Sequence, residues 1–377
     1  MTLRLLMTAR DAGASFHLIE VARAALAAGD IALEVATQMP ASRYFADAGI
    51  PHRALPLPAA RAPDDASAAA LLACADGLVE TVRPDAVLCG LSTPGDGGID
   101  EAVIARFAGP SLVLQDFWGE VNAFFGRAAD LYLALDEEGV LLPRTRHGRE
   151  AVAIGSPRHS AYAGRDLPAV RAAMRARIGA GAGTAVLGFF GQALHGLEGY
   201  RRTLEAWARA VLAFPGRALA VYRPHPREKP EEAAWTVDRL RALGIATAVL
   251  GDCSVEDALL ACDVVCSAFS NCTYDTAYLN RFSPEPLATP VSLFFDPQIV
   301  DYFHRMVRLD EFPYLKAGLV LPVRNAADLA GAIRHAAGTA ARRQYWEAAQ
   351  RLADPQQAPL RALTEVRRLA ARAGAPC

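Results

Sequence analysis

The sequence is short of several things, and each shortage closes off a class of function. Neither charge is in excess: 39 Lys and Arg stand against 41 Asp and Glu, for a formal net charge of −2. A nucleic-acid binder needs a cationic face and a disordered acidic tail needs a carboxylate run, so neither is expected. No run of 18 or more apolar residues is free of charge, which predicts no membrane span. The N-terminal MTLRLLMTARDAG has too short an apolar run for a signal peptide, and no small-residue cleavage site follows it. A cytoplasmic protein is therefore the expectation.

Cysteine is present but not paired. Cys74, Cys89, Cys253, Cys262, Cys266, Cys272 and Cys377 include no C-x-x-C, and only Cys262 and Cys266 stand as close as four apart. No second pair has ligand spacing, so no zinc site is predicted, and the thiols read as reduced and mostly buried. A G-x-G-x-x-G fingerprint is also missing, and the second strand, EVATQ, ends in no Asp or Glu. That argues against an NAD-binding dehydrogenase. No D-x-D stands where it could hold a metal-bound diphosphate, so no metal and no cofactor are expected.

What is present is length and periodicity. With 377 residues, 52% of them hydrophobic, the chain suits two domains of ordinary size. Aliphatic runs alternate with helical segments: LRLLMTA, ALEVAT, HRALPL (52–57), DAVLCGL, SLVLQD, DLYLALD and AVAIGS, with helices near 15–28, 66–82 and 98–107. A second series follows: TAVLGFFGQ, ALAVYRPHP, TAVLGD, DVVCSAFS, PVSLFFD and LVLPVR. Strand and helix alternating at this spacing predict βαβ units and parallel sheets. The expected architecture is α/β: two Rossmann-like domains facing across a cleft. The expected boundaries are 1–157, 158–340, and C-terminal helices over 341–377. The last helix is amphipathic and suits either packing back on the first domain or a homodimer contact.

Parallel sheets bind ligands beyond the carboxyl ends of their strands, and the loops there are polar. In ARDAGASFH, Asp11 and His17 are candidates for a general base. His17 is expected at the start of the first helix, where the positive helix end favours the neutral imidazole. Local packing of His17 is the equal alternative. QDFWGE adds Asp116 and Glu120. In YRPHPRE, Pro224 and Pro226 stiffen a turn that presents Arg223, His225 and Arg227, a set suited to phosphate. SAFSNCTYD offers Ser267, Ser270, Asn271 and Thr273 at a helix N-terminus, either as an anion site or as plain caps. In GFFGQALHG, Gly191 allows close backbone approach, and Gln192 or His195 could reach a ligand. Asp96 and Asp100 read as loop and cap residues.

These stretches resemble the GT-B glycosyltransferases. GASFHLIEVARAAL is similar to the Gly-containing loop and His-led first helix of several inverting members, although Arg10 and Asp11 stand where many relatives carry Gly, Ser or Thr. His225–Pro226 and the Ser/Thr-rich turn resemble bacterial sialyltransferases, capsule-polymer transferases and glycerophosphotransferases. Glu137-Glu138-Gly139 can be set against the sialyltransferases' acidic-acidic-Gly motif, but it also reads as an ordinary helix start. GSPRHSAY is similar to their interdomain crossover. The resemblance implies a metal-independent inverting transferase that moves a sugar from a nucleotide-activated donor to an acceptor hydroxyl. His17, Asp11 or Asp116 would act on the acceptor; Gly191, Gln192, Arg223, His225, Pro226, Ser267, Ser270, Asn271 and Thr273 would hold the donor. The His-Pro pair leans towards a cytidine nucleotide, with uridine close behind. The acceptor stays open, as does peripheral membrane association. The alternatives are a nucleotide-sugar 2-epimerase or hydrolase of the same fold, with Asp116 and Glu120 on the sugar, or a non-catalytic ligand-binding paralogue.

Overall fold

The computed structural model describes residues 2–92 and 95–373. The chain forms two compact units: the first runs to Ala163 and resumes at Ala353, and the second spans Gly164–Leu352. In the first unit β1 (Leu3–Ala9) leads into α1 (Ala12–Ala28), then β2 (Ile31–Thr37), α2 (Ala41–Asp47) and β3 (Arg53–Ala54). α3 (Ala66–Val82), β4 (Ala86–Gly90), α4 (Ile99–Arg106), β5 (Ser111–Leu114) and β6 (Leu131–Ala134) follow. α5 (Glu137–His147), β7 (Ala151–Ala153) and the short α6 (Pro157–Ser160) complete the series. The seven strands lie in the order β3-β2-β1-β4-β5-β6-β7 and pair parallel throughout.

A strand turns alternate side chains to opposite faces, and β1 fills two cores in this way. Leu5 and Met7 join Leu18, Leu88 and Leu114 on one face, while Leu6 joins Leu71, Val87 and Val103 on the other. Helices cover both faces, so the strands read as continuous apolar runs rather than alternating ones.

The second unit opens with α7 (Leu167–Arg177), then β8 (Ala185–Phe190), α8 (Glu198–Leu212), β9 (Ala218–Arg223) and α9 (Pro230–Ala242). Next come β10 (Thr247–Val249), α10 (Val255–Ala261), β11 (Val264–Ser267), α11 (Cys272–Phe282) and β12 (Thr289–Leu293). α12 (Pro297–Val307), α13 (Pro313–Lys316), β13 (Leu321–Val323), α14 (Leu329–Ala337) and α15 (Thr339–Ala349) end it. Its six strands run parallel in the order β10-β9-β8-β11-β12-β13. One buried carboxylate ties the unit together: Asp263 accepts from Arg171 at 2.5 Å, Arg175 at 3.0 Å and the Val186 amide at 2.8 Å. That joins α7 to the starts of β8 and β11.

The final helix, α16 (Ala358–Ala373), belongs to the first unit, where Leu363 and Val366 enter the core beside Leu5 and Leu18. Residues 341–352 stay with the second unit, and α6 stays with the first, so the division differs from boundaries drawn at 157 and 341. Two elements also depart from the sequence reading. The expected strand over 52–57 pairs only at Arg53–Ala54, because Pro56 and Pro58 have no N–H to give a ladder. α12 lies where no helix was expected, although its start is written plainly: Asp296 caps the Gln298 amide at 3.0 Å and Pro297 occupies the first turn.

Leu363 is wholly buried. Leu363→Ala is expected to lower the stability of the first unit by about 2–4 kcal/mol, through lost apolar contact and a residual cavity, as read from urea denaturation.

Candidate functional site

In each sheet the strand order reverses once, between β1 and β4 and between β8 and β11. An open parallel sheet has a crevice outside its carboxyl ends at such a reversal. The polar loops of each unit lie around that point.

In the first unit the loop after β1 is held by charge. Arg10 is only 5% exposed, although it is a cation. Its Nη2 meets Asp96 Oδ1 at 2.8 Å and its Nε lies 3.5 Å from Asp11 Oδ1. Gln38, at the end of β2, reaches across to accept from the Ile99 amide at 2.6 Å. Below these sits a buried pair at the start of α4. Asp100 Oδ1 accepts from Thr8 Oγ1 at 2.5 Å and from the Gly90 amide at 3.2 Å. Glu101 accepts from Ser92 Oγ and, at 2.8 Å, from the Gly98 amide. Burial and the neighbouring Glu101 push the Asp100 carboxyl up to about 8, and burial also raises Glu101. Asp100 therefore does more than cap a helix: it bolts β1 and β4 together at the reversal.

Asp116, in the loop after β5, reaches the same place. Burial, helped by Asp11, raises its carboxyl to about 7. Its Oδ2 packs on Gly13, where a Cβ would come within 1.7 Å of it. Only glycine leaves room for that contact. α1 starts at Ala12 rather than near residue 15, so Gly13 lies in its first turn.

His17 consequently sits in the second turn of α1, not at its start. It is buried, and burial together with His159 and Arg158 holds its imidazole well below the ordinary value. The Arg158 amide donates to His17 Nδ1 at 3.5 Å, which assigns the ring proton to Nε2. Such a ring donates from Nε2 and is a poor base there. Glu137 and Glu138 stand in the first turn of α5, capped by Asp136, whose carboxylate accepts from the Gly139 amide at 2.8 Å.

In the second unit the loop after β9 has the rigidity its prolines predict. The Arg227 amide donates to His225 Nδ1 at 3.1 Å, leaving the proton on Nε2. Burial and the Arg227 charge lower His225 to about 4, so at neutral pH it is an uncharged N–H donor. Arg223 Nη1 donates to the Leu250 carbonyl at 2.6 Å. Several residues expected to face a ligand are turned inward. Ser267 is fully buried and donates to the Phe190 carbonyl at 3.0 Å. Gln192 Oε1 accepts from the Phe269 amide at 3.0 Å, tying the loops after β8 and β11. Thr273 donates to the Ser270 carbonyl at 3.0 Å, and Ser270 Oγ accepts from the Cys272 amide at 3.2 Å. His195 points at Glu228, with its Nε2 2.9 Å from Glu228 Oε1. Asn271 Oδ1 is buried at the start of α11 with no hydrogen-bond partner among the described residues.

Among the described residues no three His, Cys, Asp or Glu side chains are grouped to hold a metal ion, and no helix is long and apolar enough to cross a membrane. Six cysteines are free thiols, and Cys377 lies outside the described residues.

No protein-family model matches the chain, and no curated protein matches it by sequence. Solved structures do match in three dimensions. A UDP-GlcNAc 2-epimerase from Neisseria meningitidis, bound to UDP-GlcNAc, superposes with a TM-score of 0.69 at 11% identity over 97% of this chain and 100% of that one. A glycosyltransferase from Rickettsia africae gives 0.65 at 10% identity over 98% of each chain. Anabaena HepE, in complex with UDP and glucose, gives 0.61 at 14% identity over 97% and 100%. The chain has the GT-B fold.

In this GT-B chain the first-unit candidates are neighbours: Asp11 and Asp116 meet around Gly13, and the Arg158 charge acts on both Asp116 and His17, which also packs with His159. The residues that sequence reasoning passed over are Arg10, Gln38, Glu101, Tyr222 and Glu228. All are polar side chains held by partners distant in sequence or turned inward, and only Glu228, three residues after His225 in RPHPRE, had a local signal.

Two measurements test this geometry. Gly13→Ala is expected to displace Asp116 and lower its titration towards the ordinary carboxylate range, as followed by carboxyl-carbon NMR. Asp100 holds a proton when folded that the unfolded chain has lost between about pH 4 and 8, so it contributes a stability that falls as pH rises through that window. Asp100→Asn, which keeps the acceptor for Thr8, is expected to flatten the stability profile between pH 5 and 9 in urea melts.

Proposed function

We propose that this chain is a nucleotide-sugar-dependent enzyme, and specifically an inverting glycosyltransferase that passes a sugar from its nucleotide to an acceptor hydroxyl. The observation that carries the reading is Asp116. Its carboxyl, raised to about 7 and fixed against Gly13, is tuned to the range where a general base works best at neutral pH. Asp116 takes the proton of the acceptor hydroxyl, and His17 donates from Nε2 to orient it. The second unit holds the nucleotide. Arg223 supplies fixed positive charge, and His225 Nε2 supplies a neutral N–H donor on a proline-stiffened loop. The N-terminus of α11 adds its positive end, and the Ser270 hydroxyl, which accepts from the Cys272 amide, still has its own proton to give the phosphate as negative charge grows on it. Gly191 lets the loop after β8 pack closely on the loop that carries His225. These groups of the chain itself carry the charge of the leaving nucleotide, so the reaction as proposed calls for no metal ion or resident cofactor.

The likeness to HepE with UDP and glucose, and to the Rickettsia glycosyltransferase, supports the reading. A 2-epimerase or hydrolase is the second reading. It is favoured by the pairing of two carboxyls, Asp11 and Asp116, which could serve as acid and base on one sugar, and by the likeness to the Neisseria epimerase.

The test is incubation with UDP- and CMP-activated sugars, with and without acceptor hydroxyls, with products read by chromatography and anomeric NMR. The transferase retains the donor until an acceptor is added and then inverts the anomeric centre. Release of nucleotide and a C2-inverted sugar without acceptor would instead establish the epimerase. Asp116→Asn is expected to lower kcat by about 10²–10⁴-fold with nucleotide affinity unchanged. Because the base must be ionised, kcat/KM should climb as pH rises through about 7, and that limb should vanish in the variant.

A further inference from the structure

Glu228 takes no part in the mechanism above, yet its carboxylate is wholly buried directly beneath the loops assigned to the nucleotide. Its partners come from three segments. Tyr222, at the end of β9, donates its hydroxyl to Oε1. His195, in the loop after β8, brings Nε2 to 2.9 Å from the same oxygen. The His225 amide, in the loop after β9, donates to Oε2 at 2.9 Å. The backbone of Gly191 closes over the group: a Cβ there would stand 2.9 Å from Oε2 and 3.3 Å from the His225 nitrogen. Burial acts to raise the carboxyl, but the close approach of His195 and the hydrogen bonds from Tyr222 and the His225 amide outweigh it, and the group lies below its ordinary value.

A buried carboxylate saturated in this way fixes everything that donates to it, because an unmatched buried donor is costly. What it fixes is telling. The amide of His225 is consumed by Glu228, and Nδ1 of His225 is consumed by the Arg227 amide, so the one polar group of that residue left to point outward is Nε2–H. We propose that Glu228 is a positioning residue: its carboxylate locks the loops after β8 and β9 to each other and thereby aims the His225 Nε2–H at the nucleotide phosphate. The inference rests on the nucleotide-sugar reading for the ligand, but the locking itself does not depend on it.

The experiment compares the full chain with Glu228→Ala, Glu228→Gln and Tyr222→Phe. UDP and CMP binding is measured by calorimetry well below the melting temperature, and the His225 tautomer by imidazole nitrogen NMR. The wild type is expected to bind UDP or CMP and to show His225 protonated at Nε2. Glu228→Ala should weaken binding by roughly tenfold or more, since two donors lose their acceptor and His195 its carboxylate neighbour, and should mix the two His225 tautomers. Glu228→Gln keeps the volume and should fall between, and Tyr222→Phe should cost a few-fold, by roughly one neutral hydrogen bond. A purely structural role would lower the melting temperature while leaving affinity and tautomer unchanged in folded protein, and that result overturns the proposal. If Glu228→Ala does not fold, unchanged affinity and tautomer in both milder variants overturn it equally. If the wild type binds neither nucleotide, the nucleotide-sugar reading fails, and the tautomer comparison alone decides whether Glu228 aims His225.

Discussion

Every described strand pairs parallel to its neighbours, and the rest of the molecule follows from that constraint. A parallel strand cannot return by a hairpin, so each crossover needs a helix, and helices then cover both faces of each sheet. Apolar side chains fill both cores, which leaves the polar loops the edges of the sheets. With the order reversing at β1/β4 and at β8/β11, the loops after these strands flank two crevices. Chemistry-bearing residues are concentrated there because nowhere else along a buried parallel strand can hold them.

The two units manage buried charge at these points in different ways. In the first unit acids are crowded: Asp11, Asp96, Asp100 and Glu101 surround one buried cation, Arg10, and Asp116 stands beside Asp11. Burial, reinforced by neighbouring acids, leaves Asp100 and Asp116 as carboxyls that keep their protons at unusually high pH. In the second unit the buried Glu228 accepts from Tyr222 and the His225 amide, has His195 beside it and is held ionised, while the histidine above it is held neutral. That contrast is the physical basis of the proposal that base chemistry belongs to the first unit and anion binding to the second.

Much of the fold was legible in the sequence. The aliphatic runs marked nearly every strand, and Asp, Gly and Pro marked most helix ends. The strand at 52–57 shrank where prolines removed donors, and α12 was missed although Asp296–Pro297 signals it. The site was legible only in part. RPHPRE could be read as a stiff turn because proline acts locally, and Asp11 and Asp116 stood out as acids at strand ends. Their meeting over Gly13 could not be read, since 103 residues separate Gly13 from Asp116 and nothing in either stretch names the other.

By itself, then, the sequence determined the element order, the apolar cores and which loops would be polar, because periodicity and turn chemistry act between near neighbours. Only the tertiary structure decided which polar side chains remain available to a ligand. Ser267 is used up by a carbonyl 77 residues away, and His17 accepts from an amide 141 residues away. A hydroxyl or an imidazole has a few hydrogen-bonding positions, and whether a fold consumes them depends on distant segments that only chain packing brings within reach.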